Sequence, residues 1–130
     1  MSPVQHPVSG PALSFSLADE LRTVHDELAK TERRIGRTLV KDGPLRVTLV
    51  GLNAGGELRP HSAAGPITVH VLEGELEFEA EGKRWTLAAR MLLALNTGIT
   101  HSVRSANGGV FLLTLAAAPG SGSGASEDAG

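Results

Sequence analysis

The side chains able to do chemistry in this chain are few, and their types narrow what that chemistry is. No cysteine occurs, so there is no thiol nucleophile, no disulfide framework and no thiolate to hold zinc. Metal binding, ligand orientation and proton transfer must then rest on imidazole, carboxylate or amide groups. Of the five histidines, His61, His70 and His101 lie in the strand-like part of the chain, where Asn53, Glu57, Ser62 and Asn96 are further oxygen and amide donors. A neutral imidazole has one donor and one acceptor nitrogen and titrates near neutral pH, so it can ligate a metal, orient a ligand or pass a proton. Acyl and phosphoryl transfer find no support, because there is no Gly-x-Ser-x-Gly elbow and no glycine-rich phosphate loop. Glu75, Glu77 and Glu79 alternate along one strand and so share a solvent face, which makes them a charged surface rather than a catalytic acid pair.

Those residues have to be positioned by one small domain. A chain of 130 residues has room for a single core. Its formal net charge of −2, with basic residues scattered along the sequence, lacks the clustered positive surface that a nucleic-acid partner requires. Residues Met1 to Ser16 have no basic region followed by an apolar stretch, and no apolar run approaches the ~20 residues that span a bilayer. The sequence therefore reads as soluble and cytoplasmic, with neither nucleic acid nor membrane as partner.

Glycine and proline separate short runs rich in Val, Leu, Ile and Thr, the pattern of an all-β barrel or sandwich. One segment departs from it. Between Leu17 and Arg34 the apolar residues Leu17, Leu21, Val24 and Leu28 recur at helical spacing, Ser16 is a suitable N-cap, and Asp19 and Glu20 favour the first turn. This predicts one amphipathic helix over residues 16–36, packed outside the barrel or across a subunit boundary, with His25 on its polar side. Residues 1–15 and the Gly-Ser tail 119–130 have too little apolar content to repay ordering and are expected to be flexible. The barrel domain is expected over 37–118. Arg37 to Val40 and Leu45 to Leu52 should form a hairpin around Lys41-Asp42-Gly43-Pro44, and Ile67 to Leu72, Glu75 to Ala80 and Lys83 to Leu87 a three-strand meander. Two-residue turns at Glu73-Gly74 and Glu81-Gly82 fix the meander's register. Val71 then pairs with Leu76, Val69 with Phe78 and Ile67 with Ala80 on an apolar inner face, while His70 points outward beside Glu77. Phe78 meets Trp85 across the second turn, so Trp85 reads as a core residue. Met91 to Leu95, His101 to Ser105 and Val110 to Ala116 complete roughly nine strands.

Gly55-Gly56-Glu57-Leu58-Arg59-Pro60-His61, then Val71 to Leu76, then Gly98-Ile99-Thr100-His101 resemble the two motifs of the cupin superfamily, over about Leu45 to Leu115. The first motif, G-x5-H-x-H-x3,4-E-x6-G, is met at Gly55, His61 and Gly74. The second, G-x5-P-x-G-x2-H-x3-N, is met at Gly98 and His101, with Arg90, Asn96 and Ser105 in place of its glycine, proline and asparagine. The resemblance implies a cupin-type β-barrel, jelly-roll-like, with one N-terminal helix.

In metal-bearing cupins two histidines and a glutamate of the first motif and the histidine of the second hold one transition-metal ion. By that resemblance His61 and His101 occupy ligand positions here, whereas Ala63 and Ile67 replace the second histidine and the glutamate. Two imidazoles fall short of the three or four protein donors that such an ion needs, so a divalent transition metal would bind only weakly. His70, if a β-bulge turns it inward, and Glu57, which has the strand parity of His61, are the candidates for a third ligand. Two functional classes lead. One is a binding module holding a small organic ligand, oriented by His61 and His101 against walls from Val47, Leu49, Val69, Phe78 and Val103. The alternative is a metal-dependent enzyme of the dioxygenase or isomerase type. A third class, a structural or regulatory partner protein, would use the helix and outer sheet instead. Cupins commonly associate through an outer sheet, and Leu72, Val50 and Leu52, read as outward or terminal, point to a homodimer.

Overall fold

The computed structural model describes residues 11–31 and 33–117; the expectations for residues 1–10 and for the tail lie outside them. Helix α1 spans Leu17–Leu28, begun by Ser16, whose side chain accepts a hydrogen bond from the Asp19 amide. It is shorter than the residue spacing predicts. Asn53 closes it by donating from Nδ2 to the carbonyls of Leu28, the last helical residue, and of Thr31 in the following turn, both at 2.9 Å, so a side chain from across the fold fixes the helix end. The chain then turns, and Arg34, Ile35 and Gly36, assigned above to the helical segment, open the first strand. Among the described residues no helix is long and apolar enough to cross a membrane.

Eight strands follow among the described residues: β1 Arg34–Asp42, β2 Leu45–Leu52, β3 Glu57–His61, β4 Ile67–Ala80, β5 Lys83–Ala88, β6 Leu92–Leu95, β7 His101–Arg104 and β8 Gly109–Ala116. All pair antiparallel in the order β1-β2-β8-β4-β7-β3, with β5 and β6 also on β4. The sheet curls into a half-barrel. The β1–β2 hairpin turns at Gly43-Pro44, where Gly43 has φ +54°. The β4–β5 hairpin turns at Glu81-Gly82 and brings Phe78 opposite Trp85 and Glu79 opposite Arg84, the register expected from the sequence.

The other expected hairpin does not form. Residues 67–80 are one continuous strand, with a bulge at Leu72, between Val71 and Glu73, and with Glu73 and Gly74 paired to Val110 and Gly109. The first half of β4 lies between β8 and β6, and the second half between β5 and β7. A bulge shifts side-chain parity, so Val69 and Val71 before it and Leu76, Phe78 and Ala80 after it all face inward, as the hairpin reading also required. Gly74 is indispensable for packing rather than for turning: at φ +75° a Cβ would sit 2.2 Å from the Gly108 carbonyl oxygen and 2.7 Å from the Gly109 Cα. His70 is not beside Glu77; its partners in register are Leu112 of β8 and Leu92 of β6.

Two apolar clusters build the core. The larger fills the half-barrel and contains Val50, Leu52, Leu58, Val69, Val71, Phe78, Val103 and Phe111. The smaller lies under the helix, where Val24 and Leu28 meet Leu39, Leu49 and Val110, with Phe15 and Leu72 packed against it. Gly51 lets the helix approach, since a Cβ there would fall 2.7 Å from Val24 Cγ1. The faces of β2 are thus opposite to those expected. Val50 and Leu52 are interior, whereas Leu49 belongs to the helix side, with Val47 in phase with it. Trp85 is corrected too. It stands 36% exposed on β5, edge-on to Phe78 with ring centroids 6.2 Å apart, because β5 pairs only with β4 and buries only Leu87.

Candidate functional site

Strand register brings His61 and His101 together. In the β3–β7 pair Leu58 lies opposite Val103, both buried, and His61 lies opposite His101. Leu58 and His61 are three positions apart on one strand and Val103 and His101 two apart on the other, so simple alternation would put His61 on the outer face. A bulge at Arg59-Pro60 takes up the extra residue and returns His61 to the inner one. Pro60 is tolerated because β3 is an edge strand, with no ladder partner on its other side among the described residues. The two rings meet with centroids 4.4 Å apart at 57°. His101 also stacks on Phe78 at 5.3 Å and 10°, since Phe78 pairs with Val103, two residues along β7.

Both imidazoles are held in the same way. His61 Nδ1 lies 2.7 Å from the Arg59 carbonyl and His101 Nδ1 lies 2.9 Å from the Ile99 carbonyl. A carbonyl only accepts, so each neutral ring donates its Nδ1–H and keeps Nε2 as the acceptor. His61 Nε2 is buried and has no hydrogen-bond partner. His101 is 4% exposed, and burial lowers its pKa below the ordinary value of 6.5; the Ile99 carbonyl opposes this and the neighbouring His61 adds to it.

The remaining candidates do not join the pair. Ala63 and Ile67 are buried members of the apolar core. His70 alternates with buried Val69 and Val71 and is half-buried on the opposite face. Glu57 is exposed; the bulge that turns His61 inward breaks the parity the two residues would otherwise share. Among the described residues no three His, Asp or Glu side chains come close enough to hold a metal ion. The donor set, two imidazoles beside alanine and isoleucine, does not fit a resident transition metal. Asn53 is spent on the helix end, and Asn96 accepts from the Thr97 amide. Val69, Phe78 and Val103 are 1, 0 and 3% exposed and pack into the core. Ser105, where the cupin motif has asparagine, is 1% exposed and donates from Oγ to the Glu75 carbonyl at 2.6 Å, tying β7 to the bulged strand.

One feature escaped the sequence. His61 also lines a cleft of about 620 Å³ with Arg33, Arg34, Glu57, Leu58, Arg59 and Pro60. Arg33 is brought there by Asn53, whose amide donates to the Arg33 carbonyl at 2.8 Å, and by Gly56, whose missing Cβ would lie 2.5 Å from that oxygen. No motif spacing announces a cleft that forms only when the start of β1 meets the edge of β3.

No family model matches the sequence, and no curated protein matches it. Solved structures do. A cupin superfamily protein from Desulfitobacterium hafniense superposes with a TM-score of 0.65 at 13% identity, over 67% of this chain and 80% of that one. A cupin 2 conserved barrel domain protein from Leptotrichia buccalis gives 0.63 at 26% identity, over 70% of this chain and 45% of that one. Salicylate 1,2-dioxygenase from Pseudoaminobacter salicylatoxidans, in a structure with gentisate, gives 0.65 at 15% identity, over 77% of this chain and 31% of that one. The fold is that of the cupins.

Proposed function

We propose that this cupin-fold chain is a binding module for a small organic ligand, held where His61 and His101 meet, and that it works without a tightly bound resident metal. The observation that supports this best is the cross-strand imidazole pair itself. Two rings 4.4 Å apart, each with Nδ1–H committed to a backbone carbonyl, leave two Nε2 acceptors, and one of these is buried and unpartnered. A buried acceptor without a donor costs about 1–3 kcal/mol, which a ligand's hydroxyl or N–H group would recover. Stacking on Phe78 fixes the inner ring, so the site is preorganised on strands rather than on a loop.

The second reading, a metal-dependent dioxygenase or isomerase, is favoured by the likeness to salicylate 1,2-dioxygenase, but needs a third donor that neither His70 nor Glu57 supplies from its place in the fold. Metal analysis of freshly purified protein tests both readings, with an expected content far below one ion per chain. A content near one ion per chain, lost on His61→Ala, would reverse the choice. For the binding reading, imidazole signals of His61 and His101 should shift together when a small-molecule mixture is titrated in, and His61→Gln should abolish the response. Self-association belongs to the same reading: the exposed β5–β6 side of the half-barrel, with Trp85, Met91 and Leu92, is the face through which a homodimer would form.

A further inference from the structure

We infer that the ligand of this site is a small carboxylic acid, bound in the cleft between the start of β1 and the edge of β3 by Arg33, Arg34 and Arg59 beside His61. The inference rests on the binding reading above and names its ligand class. Three arginines and one glutamate, Glu57, line a single cleft, although the chain as a whole carries a net charge of −2. Among the described residues none of these arginines makes an ion pair, whereas Arg22, Arg37, Arg84 and Arg104 each have an acidic partner. Three like charges gathered with a single counter-charge repel one another, and a bound anion relieves that repulsion. Guanidinium forks match a carboxylate in plane and spacing and bind it through paired, charge-assisted hydrogen bonds. A volume of about 620 Å³ falls within the ~300–1,000 Å³ usual for small-molecule sites. The cleft and the imidazole pair are joined at His61, which lines the cleft and whose ring centroid lies 4.4 Å from that of His101.

The test uses the full chain at constant ionic strength, titrated with malate, 4-hydroxybenzoate, their neutral methyl esters dimethyl malate and methyl 4-hydroxybenzoate, and inorganic phosphate. Malate or 4-hydroxybenzoate, each with a carboxylate for the arginines and a hydroxyl to donate to His61 Nε2, should give saturable shifts of the Arg33, Arg34 and Arg59 Nε–H signals together with those of His61. The esters should bind at least about tenfold more weakly, because they keep the shape and the hydroxyl donor and lose the charge. The triple substitution Arg33→Gln, Arg34→Gln, Arg59→Gln should reduce acid affinity by a similar factor while its melting temperature stays near that of the parent. Equal binding of acid and ester, full binding by the triple variant, tighter binding of phosphate, or no saturable response would each overturn the inference. If acid and ester bind equally and both shift His61 and His101, only the acid assignment fails. If no probe shifts either histidine, the binding reading fails with it.

Discussion

At the scale of single residues, one titration and one pair of substitutions report on the site. His101 takes its proton below the ordinary value of 6.5, chiefly because burial disfavours the imidazolium. The unfolded chain, with no such burial, binds that proton first as the pH falls. His101 therefore leaves stability intact above about pH 6.5 and erodes it as the pH drops through the folded-state value. A melting series from neutral to mildly acidic pH should decline less steeply in His101→Gln than in the parent, and an NMR titration should place the His101 midpoint below that of a model histidine. Equal slopes and an ordinary midpoint would mean that the ring is not buried. The second test concerns the missing metal donors. Ala63→His with Ile67→Glu restores the side chains that cupin motifs carry there, at positions 7% and 3% exposed. Without metal the new buried carboxylate should lower the melting temperature. Saturating Mn²⁺, Ni²⁺ or Zn²⁺ should raise it again, by about 2.7 kcal/mol of stability at 100 times the dissociation constant. Tight metal binding by the unaltered chain would show that the two-imidazole reading undercounts the donors. The histidine pair was legible because its spacing matched two motifs in order. The arginines were not, since Arg33-Arg34 and Arg59 belong to separate elements and meet only when the sheet curls.

At the scale of elements, Gly74 and Asn53 carry more than local turn chemistry assigns to them. The Glu-Gly pair at 73–74 has the composition of a tight hairpin, and the alternation on either side fits one. A bulge preserves the same inward face, so face pattern alone does not separate the two geometries. What separates them is the contact with Gly108 and Gly109, a long-range approach that leaves no local trace. Gly74→Ala should accordingly cost about 3 kcal/mol or more, combining a strained positive φ with a backbone clash, whereas a hairpin-turn glycine would cost less. Denaturant unfolding decides between these values, and a loss under about 1 kcal/mol would remove the argument from the close approach of Gly74 to Gly108 and Gly109. The helix is a parallel case. Its apolar spacing and Ser16 cap were readable, but its end is set by the Asn53 side chain, which holds two carbonyls and lies beyond the first hairpin. Asn53→Ala should destabilise the chain by about 1–3 kcal/mol, because it leaves the Leu28 carbonyl with only the Thr31 amide at 3.2 Å and takes the Asn53 donor from the Thr31 carbonyl, and hydrogen exchange should quicken in the last turn of α1.

At the scale of the whole molecule, the open question is which surface a second copy would use. The sequence pointed to Val50, Leu52 and Leu72, but the first two fill the half-barrel and the third packs under the helix, so the outer face of β2 is already covered by the chain's own α1. Apart from Leu45 at the end of β2, the large apolar side chains that remain exposed on a strand or its approach lie elsewhere: Leu92 is 63% exposed, Met91 45% and Trp85 36%. They sit around β5 and β6, strands that pair only with β4 among the described residues and so present free backbone edges. An uncovered edge with apolar side chains is the usual starting point for strand pairing between chains, and a stable pair would have to bury roughly 800 Å² on each partner. Light scattering at micromolar concentration should therefore give the mass of a dimer, and Leu92→Lys should return the monomer without lowering its intrinsic stability, because a side chain so exposed supports no core. If the parent chain is monomeric under those conditions, the β5–β6 edge is not an interface. If Leu92→Lys stays dimeric while a charge at Leu45, 39% exposed at the far end of β2, dissociates it, the interface lies on the β1–β2 side instead.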